Sequence, residues 1–266
     1  MTLLPIEQDE RAHFQDAVAV VVGGTSGVGL ATARRFAATG CRRLVIVGRD
    51  AGRAEKAAAT IVEAGADAPR VLIGDLLDAE RAEEIMAEVD EEHGRIDILI
   101  NSINGTHGPS LLHATPIGEL QGAIVSQLMG VVHSCRAALP IMQREGSGAI
   151  VNIASDAAKS ATPGEAAIGA AMAGIVMFTR TLAIEAKRNG IRANVVTPSL
   201  IRGTGGFDRV MKNEFAAKLF GKAMGLAKLG VVEADDMAEL IAFLCSPRSA
   251  RLTGQAISLN GGISAY

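Results

Sequence analysis

A single α/β domain built on an open, doubly wound parallel sheet is the fold this sequence predicts. Seven short apolar runs have strand length: 17–22 (AVAVVV), 43–48 (RLVIVG), 70–74 (RVLIG), 96–101 (IDILIN), 148–155 (GAIVNIAS), 191–196 (IRANVV) and 255–259 (QAISL). Helical periodicity fills the intervals between them, the alternation expected of βαβ units. At 266 residues, 48% hydrophobic and 21% charged, the chain can bury one large core of this kind.

Each element follows from local chemistry. The first run leads through a glycine-rich turn into a helix at 30–39, and Asp50 and Asp78 stand where N-caps belong for helices at 50–64 and 78–93. Further helices are expected at 116–144, 166–189 and 234–245. Crossovers between parallel strands are right-handed, so the helices should cover both faces of a sheet of about seven strands. Six glycines break residues 202–230 into short helical pieces. That segment follows the sixth strand, at the sheet edge where ligands bind, and is expected to be a lid over substrate.

Composition narrows the partners. The net charge of -3 comes from 26 basic and 29 acidic residues dispersed along the chain, a pattern that fits a small-molecule substrate and neither nucleic acid nor a membrane surface. No apolar stretch is read as membrane-spanning, and MTLLPIEQDERAHF carries acids where a secretion signal needs a basic start and an apolar run. Cys41, Cys135 and Cys245 are odd in number and far apart, giving neither a disulfide framework nor a metal site. A cytoplasmic location is expected.

The turn Gly23-Gly24-Thr25-Ser26-Gly27-Val28-Gly29 reads G-x-x-x-G-x-G between a strand and a helix. Glycines let the backbone turn tightly and approach a pyrophosphate, which free N–H groups and the positive helix end stabilise. Gly74-Asp75-Leu76 after the third run, Asn101-Ser102-Ile103-Asn104 after the fourth, GIRANVVTPSLI (190–201) and LTGQAISLNGG (252–262) follow in order. On these residues nearly the whole chain resembles the short-chain dehydrogenase/reductase family. The resemblance implies a Rossmann-type sheet binding a nicotinamide dinucleotide through Gly23, Thr25, Ser26, Gly27, Val28, Gly29, Asp75, Leu76, Asn101, Pro198 and Ile201. Relatives that prefer NAD carry an acid at the second strand's tip, to bond the ribose 2′-hydroxyl. Here Gly48 occupies that place and Arg49 follows, a guanidinium suited to a 2′-phosphate, so NADP(H) is expected over NAD(H).

The family's serine after the fifth strand matches Ser155, and its asparagine in the long preceding helix matches Gln127. Thirteen residues beyond Ser155, where relatives carry a tyrosine, stands Ile168; four further on, in place of a lysine, is Met172. The only tyrosine in the chain is Tyr266. Replacement acids or bases are sought on the same edge of the sheet: Asp156 and Lys159 directly after Ser155, Glu165 before the helix carrying Ile168, and His107 after the fourth strand. The function expected is an NADP(H)-dependent oxidoreductase with a non-standard site, reducing an activated C=C or carbonyl substrate. The alternatives are a non-redox dehydratase, isomerase or cyclase on this scaffold, or a silent dinucleotide-binding subunit. The small and apolar faces of AAIGAAMAGIVMF (166–178) suit a helix buried between subunits, and a homotetramer is expected.

Overall fold

The computed structural model describes residues 5–63, 67–105 and 107–265, with side chains from Arg11 onward. Ala64, where the second expected helix was to end, and Tyr266 lie outside the described residues. The strands are β1 (Val18–Val22), β2 (Arg43–Gly48), β3 (Arg70–Ile73), β4 (Ile98–Asn101), β5 (Gly148–Ile153), β6 (Ile191–Pro198) and β7 (Ala256–Leu259). They form one sheet in the order β3-β2-β1-β4-β5-β6-β7, and every pairing is parallel.

Side chains alternate between the two faces of each strand. From β1, Val18, Val20 and Val22 enter one core with α4 (Ala79–His93), α5 (Leu120–Glu145) and α6 (Ala166–Ala186). Ala19 and Val21 enter the other, with α2 (Gly27–Ala38), α3 (Ala51–Glu63) and α9 (Ala234–Cys245). Burial on both sides is why the inner strands read as continuous apolar runs.

Asp50 and Asp78 act as expected of caps, accepting from Arg53 N at 2.7 Å and from Glu80 N at 3.0 Å. The first expected helix starts earlier than 30, because the end of the glycine turn is itself the first turn of α2. The helix expected from 116 begins at Leu120, after a 3₁₀ turn at Ile117–Glu119. One helix was not anticipated: α1 (Pro5–Asp16) precedes β1, and its Phe14 is fully buried and stacks on Phe36 with ring centroids 5.1 Å apart.

The expectation about apolar stretches is corrected. Segments Ile117–Glu145 and Ala166–Asn189 are each long and apolar enough to cross a membrane by length and composition. Their apolarity reflects packing in the core: α5 and α6 contribute Val131, Cys135, Ile175 and Leu182, all buried, to the first cluster. Residues 202–230 fold into α7 (Gly205–Lys212) and α8 (Glu214–Leu226), which close over a small core of their own around Leu200, Ala216 and Phe220.

Candidate functional site

Strand order reverses between β1 and β4, and the glycine turn leaves β1 at that switch point, where doubly wound sheets place ligands. Two glycines there are required by space. Gly23 has φ +77°, and a Cβ on it would stand 2.2 Å from the Ser102 carbonyl oxygen after β4; a Cβ on Gly29 would stand 2.2 Å from the Gly23 carbonyl oxygen. Ser26 occupies the N-cap of α2 but makes no side-chain cap, leaving the first-turn amides open to an acceptor from outside the helix. The backbone is therefore a cradle with donors facing out, which suits a dinucleotide pyrophosphate. Thr204, the N-cap of α7, lies over it, 3.4 Å from where a Cβ on Gly27 would be.

Beside the cradle, β2 ends at the buried Gly48 and the exposed Arg49. Arg49 pairs with Asp75 after β3, Nη1 to Oδ2 at 3.5 Å. Leu76 is buried, and its carbonyl lies 3.0 Å from His133 Nδ1. Val28 is buried in the second core, with Ile201 packed at its margin, and Pro198 closes β6. Asn101 faces inward instead: its amide donates to Asn152 Oδ1 at 2.9 Å and its oxygen accepts from Ser134 at 2.6 Å. With Asn152 donating on to Thr179 at 2.9 Å, this network ties β4, β5 and α6 together, so Asn101 can offer a ligand only its backbone.

The residues sought around Ser155 separate into two places. Ser155 caps a 3₁₀ turn at Asp156–Ala158, its hydroxyl accepting from Ala157 N at 3.2 Å. Asp156 and Lys159 then turn toward the last strand. The buried Asp156 carboxylate accepts from Asn260 and from Ser264 (2.8 Å), with Lys159 Nζ 4.0 Å from its other oxygen. Lys159 also donates to Ser258 on β7 at 2.5 Å, and burial pulls its pKa down against the pull of Asp156. This pairing of the turn with the C-terminal segment was not legible in sequence, since about a hundred residues separate the partners.

His107 and Ile168 come together. Both line a cavity of about 340 Å³ at the carboxyl edge of the sheet, with Ser110, Leu112, Glu119 and Ala167 also in its wall and Asn213 reaching it from between α7 and α8. Met172, one turn further along α6, is buried in the first core. Gln127 is buried against Gly105, where a Cβ would meet its Cγ at 2.4 Å. Glu165 precedes α6 with both of its chain neighbours in the cavity wall. Burial raises its pKa from 4.5 to about 7, opposed by a hydrogen bond from Thr162. Sequence reading missed Leu112, Glu119 and Asn213, which belong to no motif. The only available signal was their position in the loop after β4 and in the glycine-broken segment 202–230.

Residues 22–264 match the family model described as enoyl-(acyl carrier protein) reductase. The chain belongs to the short-chain dehydrogenase/reductase family. It is 31% identical to 2-(R)-hydroxypropyl-CoM dehydrogenase of Xanthobacter autotrophicus, over 93% of this chain and 98% of that protein. It is likewise 31% identical to a 3-oxoacyl-[acyl-carrier-protein] reductase of Synechocystis sp., over 92% and 96%. Among solved structures it resembles levodione reductase, with a TM-score of 0.89 and 29% identity over 95% of this chain and all of that one. As a short-chain dehydrogenase/reductase the chain is an oxidoreductase that uses a nicotinamide dinucleotide, and such a group when bound supplies or accepts hydride. The glycine cradle, the crevice between β1 and β4, and the cavity beside Ile168 are where this member would hold cofactor and substrate.

Proposed function

We propose that this short-chain dehydrogenase/reductase is an NADP(H)-dependent reductase of activated substrates, conjugated C=C compounds first and activated carbonyls second. Its hydride transfer does not rely on a phenol acid. The observation that carries this reading is Ile168 in the wall of the cavity it shares with His107. A saturated ketone becomes an alkoxide as hydride arrives and needs a proton donor in place; a positioned acid is worth about 10²- to 10⁴-fold in rate. An isoleucine offers no proton. A conjugated C=C bond accepts hydride at its β-carbon, the electron pair moves onto the carbonyl oxygen as an enolate, and the α-carbon takes a proton from His107 or water. The side-chain-free strand tip at Gly48 and the exposed Arg49 favour a 2′-phosphate. Likeness to 3-oxoacyl reductases supports an acyl substrate. We further propose that the protein is cytoplasmic and a homo-oligomer.

The test follows NADPH oxidation with a short enoyl thioester, an activated 3-oxo thioester and a saturated ketone of equal size. The conjugated substrate should be reduced at least about 10²-fold faster than the ketone. Equal rates on the enoyl thioester and the ketone would overturn the proposal, as would NADPH that binds tightly yet is oxidised by none of the three.

A further inference from the structure

Gly48 and Thr25 are in contact where the glycine turn meets the tip of β2. A Cβ on Gly48 would lie 2.5 Å from Thr25 Cγ2, 2.9 Å from Oγ1 and 3.3 Å from its Cβ. Neither backbone can yield easily. Gly23 N and Gly24 N both donate to the Val47 carbonyl, at 2.9 and 3.2 Å, pinning the glycine turn to β2. On the other side Gly74 N donates to the Gly48 carbonyl at 2.9 Å, and β2 is held in register between β1 and β3. Gly48 is not among the glycines with positive φ, so what opposes a side chain there is the contact with Thr25 and not the backbone conformation.

Rotation of Thr25 cannot relieve the contact. A threonine fills two of three staggered γ positions, and the two filled here are the two that face Gly48. Any other rotamer leaves one of them occupied. A serine has a single γ atom and can turn it into the third position, keeping the hydroxyl; a valine, like threonine, cannot clear both.

We infer that Thr25 is a specificity-determining residue, keeping the tip of β2 free of a side chain and so excluding the acid that would bind the ribose 2′-hydroxyl of NAD(H). This rests on the NADP(H) reading above and adds a second, repulsive element to the attraction offered by Arg49.

The test measures NADPH and NADH dissociation constants and melting temperature for the unmutated protein, Gly48→Asp, Thr25→Ser with Gly48→Asp, and Thr25→Val with Gly48→Asp. The single change should lower the melting temperature and weaken both cofactors without a preference for NADH. Adding Thr25→Ser should restore the melting temperature and turn the preference at least about 10-fold toward NADH, while Thr25→Val should restore neither. Gly48→Ala, which adds only the Cβ, supplies the same comparison of melting temperatures should the aspartate variants fail to fold. The inference is overturned if Gly48→Asp alone switches preference at an unchanged melting temperature, or if the Thr25→Ser and Thr25→Val backgrounds behave alike. Tighter NADH than NADPH binding by the unmutated protein would instead defeat the NADP(H) reading, a separate outcome.

Discussion

The Arg49 guanidinium stands 3.5 Å from the Asp75 carboxylate, joining the ends of β2 and β3 on one side of the cofactor crevice. Both side chains are about half exposed, at 57% and 46%, so the pair itself contributes little stability and Arg49 can exchange Asp75 for a better anion. Arg49→Ala should therefore weaken NADPH binding by about 1.5–3 kcal/mol, the range for a charge-assisted hydrogen bond, with little change for NADH. Calorimetric titration of both cofactors checks it; equal losses for both would show that Arg49 does not read the phosphate.

Glu165 should make stability fall as pH rises. Its pKa is raised in the fold from 4.5 to about 7 by burial, so the folded protein keeps this proton while the unfolded chain loses it. The neutral form costs nothing below about pH 4.5, and the burden on stability grows between there and pH 7. Glu165→Gln should raise the melting temperature at pH 8 and leave it unchanged near pH 4.5. A gain of equal size at both pH values would point to packing instead of ionisation.

The polar cluster under the Ser155 turn should be sensitive to removal of its charge. Asp156 is 6% exposed and pairs with Asn260, Ser264 and, more distantly, Lys159. Asp156→Ala leaves a largely buried ammonium without its carboxylate, a change that costs about 3–5 kcal/mol in comparable sites. Urea unfolding measures the loss, and Lys159→Met in the Asp156→Ala background should recover part of it. A loss within about 0.5 kcal/mol, typical of surface changes, would mean the cluster is solvated.

Placing a tyrosine at 168 and a lysine at 172 should bring carbonyl chemistry to the cavity. Ile168 already lines it, so Ile168→Tyr puts a phenol beside the substrate, and with Met172→Lys the rate on a saturated ketone should rise about 10²-fold or more. Met172 is buried, so the melting temperature should fall as the lysine enters the core. Steady-state kinetics on the ketone reads the gain. No gain in a folded double variant with normal NADPH affinity would show that something other than the proton donor is missing.

The outer face of α6 should be an interface between copies of this chain. Met177 and Ile184, two turns apart, are 59% and 63% exposed, and Val125 of α5 is also exposed. Apolar side chains repeated at this spacing on a long helix are expected to be covered. Light scattering should give a multiple of 27.5 kDa at micromolar concentration, and Met177→Glu with Ile184→Glu should lower it. A mass of 27.5 kDa for the unmutated protein would exclude the assembly.

The chain by itself determined the order of strands and helices, the glycine cradle and the absence of a tyrosine and a lysine at 168 and 172. These are local facts: a strand buried on both faces must be apolar throughout, and a turn whose backbone closes on its neighbours needs glycine at the points of contact. What the tertiary structure decided is which residues meet. Asp156 and Lys159 read equally well as site residues, but the fold brings Ser258, Asn260 and Ser264 to them across about a hundred residues and turns them toward β7. Asn101 reads as a cofactor contact, yet the pairing of β4 with β5 sets it opposite Asn152 and commits its amide to the core. Thr25 and Gly48, on different elements, limit one another only because β1 and β2 lie side by side. Periodicity and turn chemistry act between near neighbours in sequence and can be read there; contacts between distant segments depend on sheet order and register, which exist only once the chain has folded.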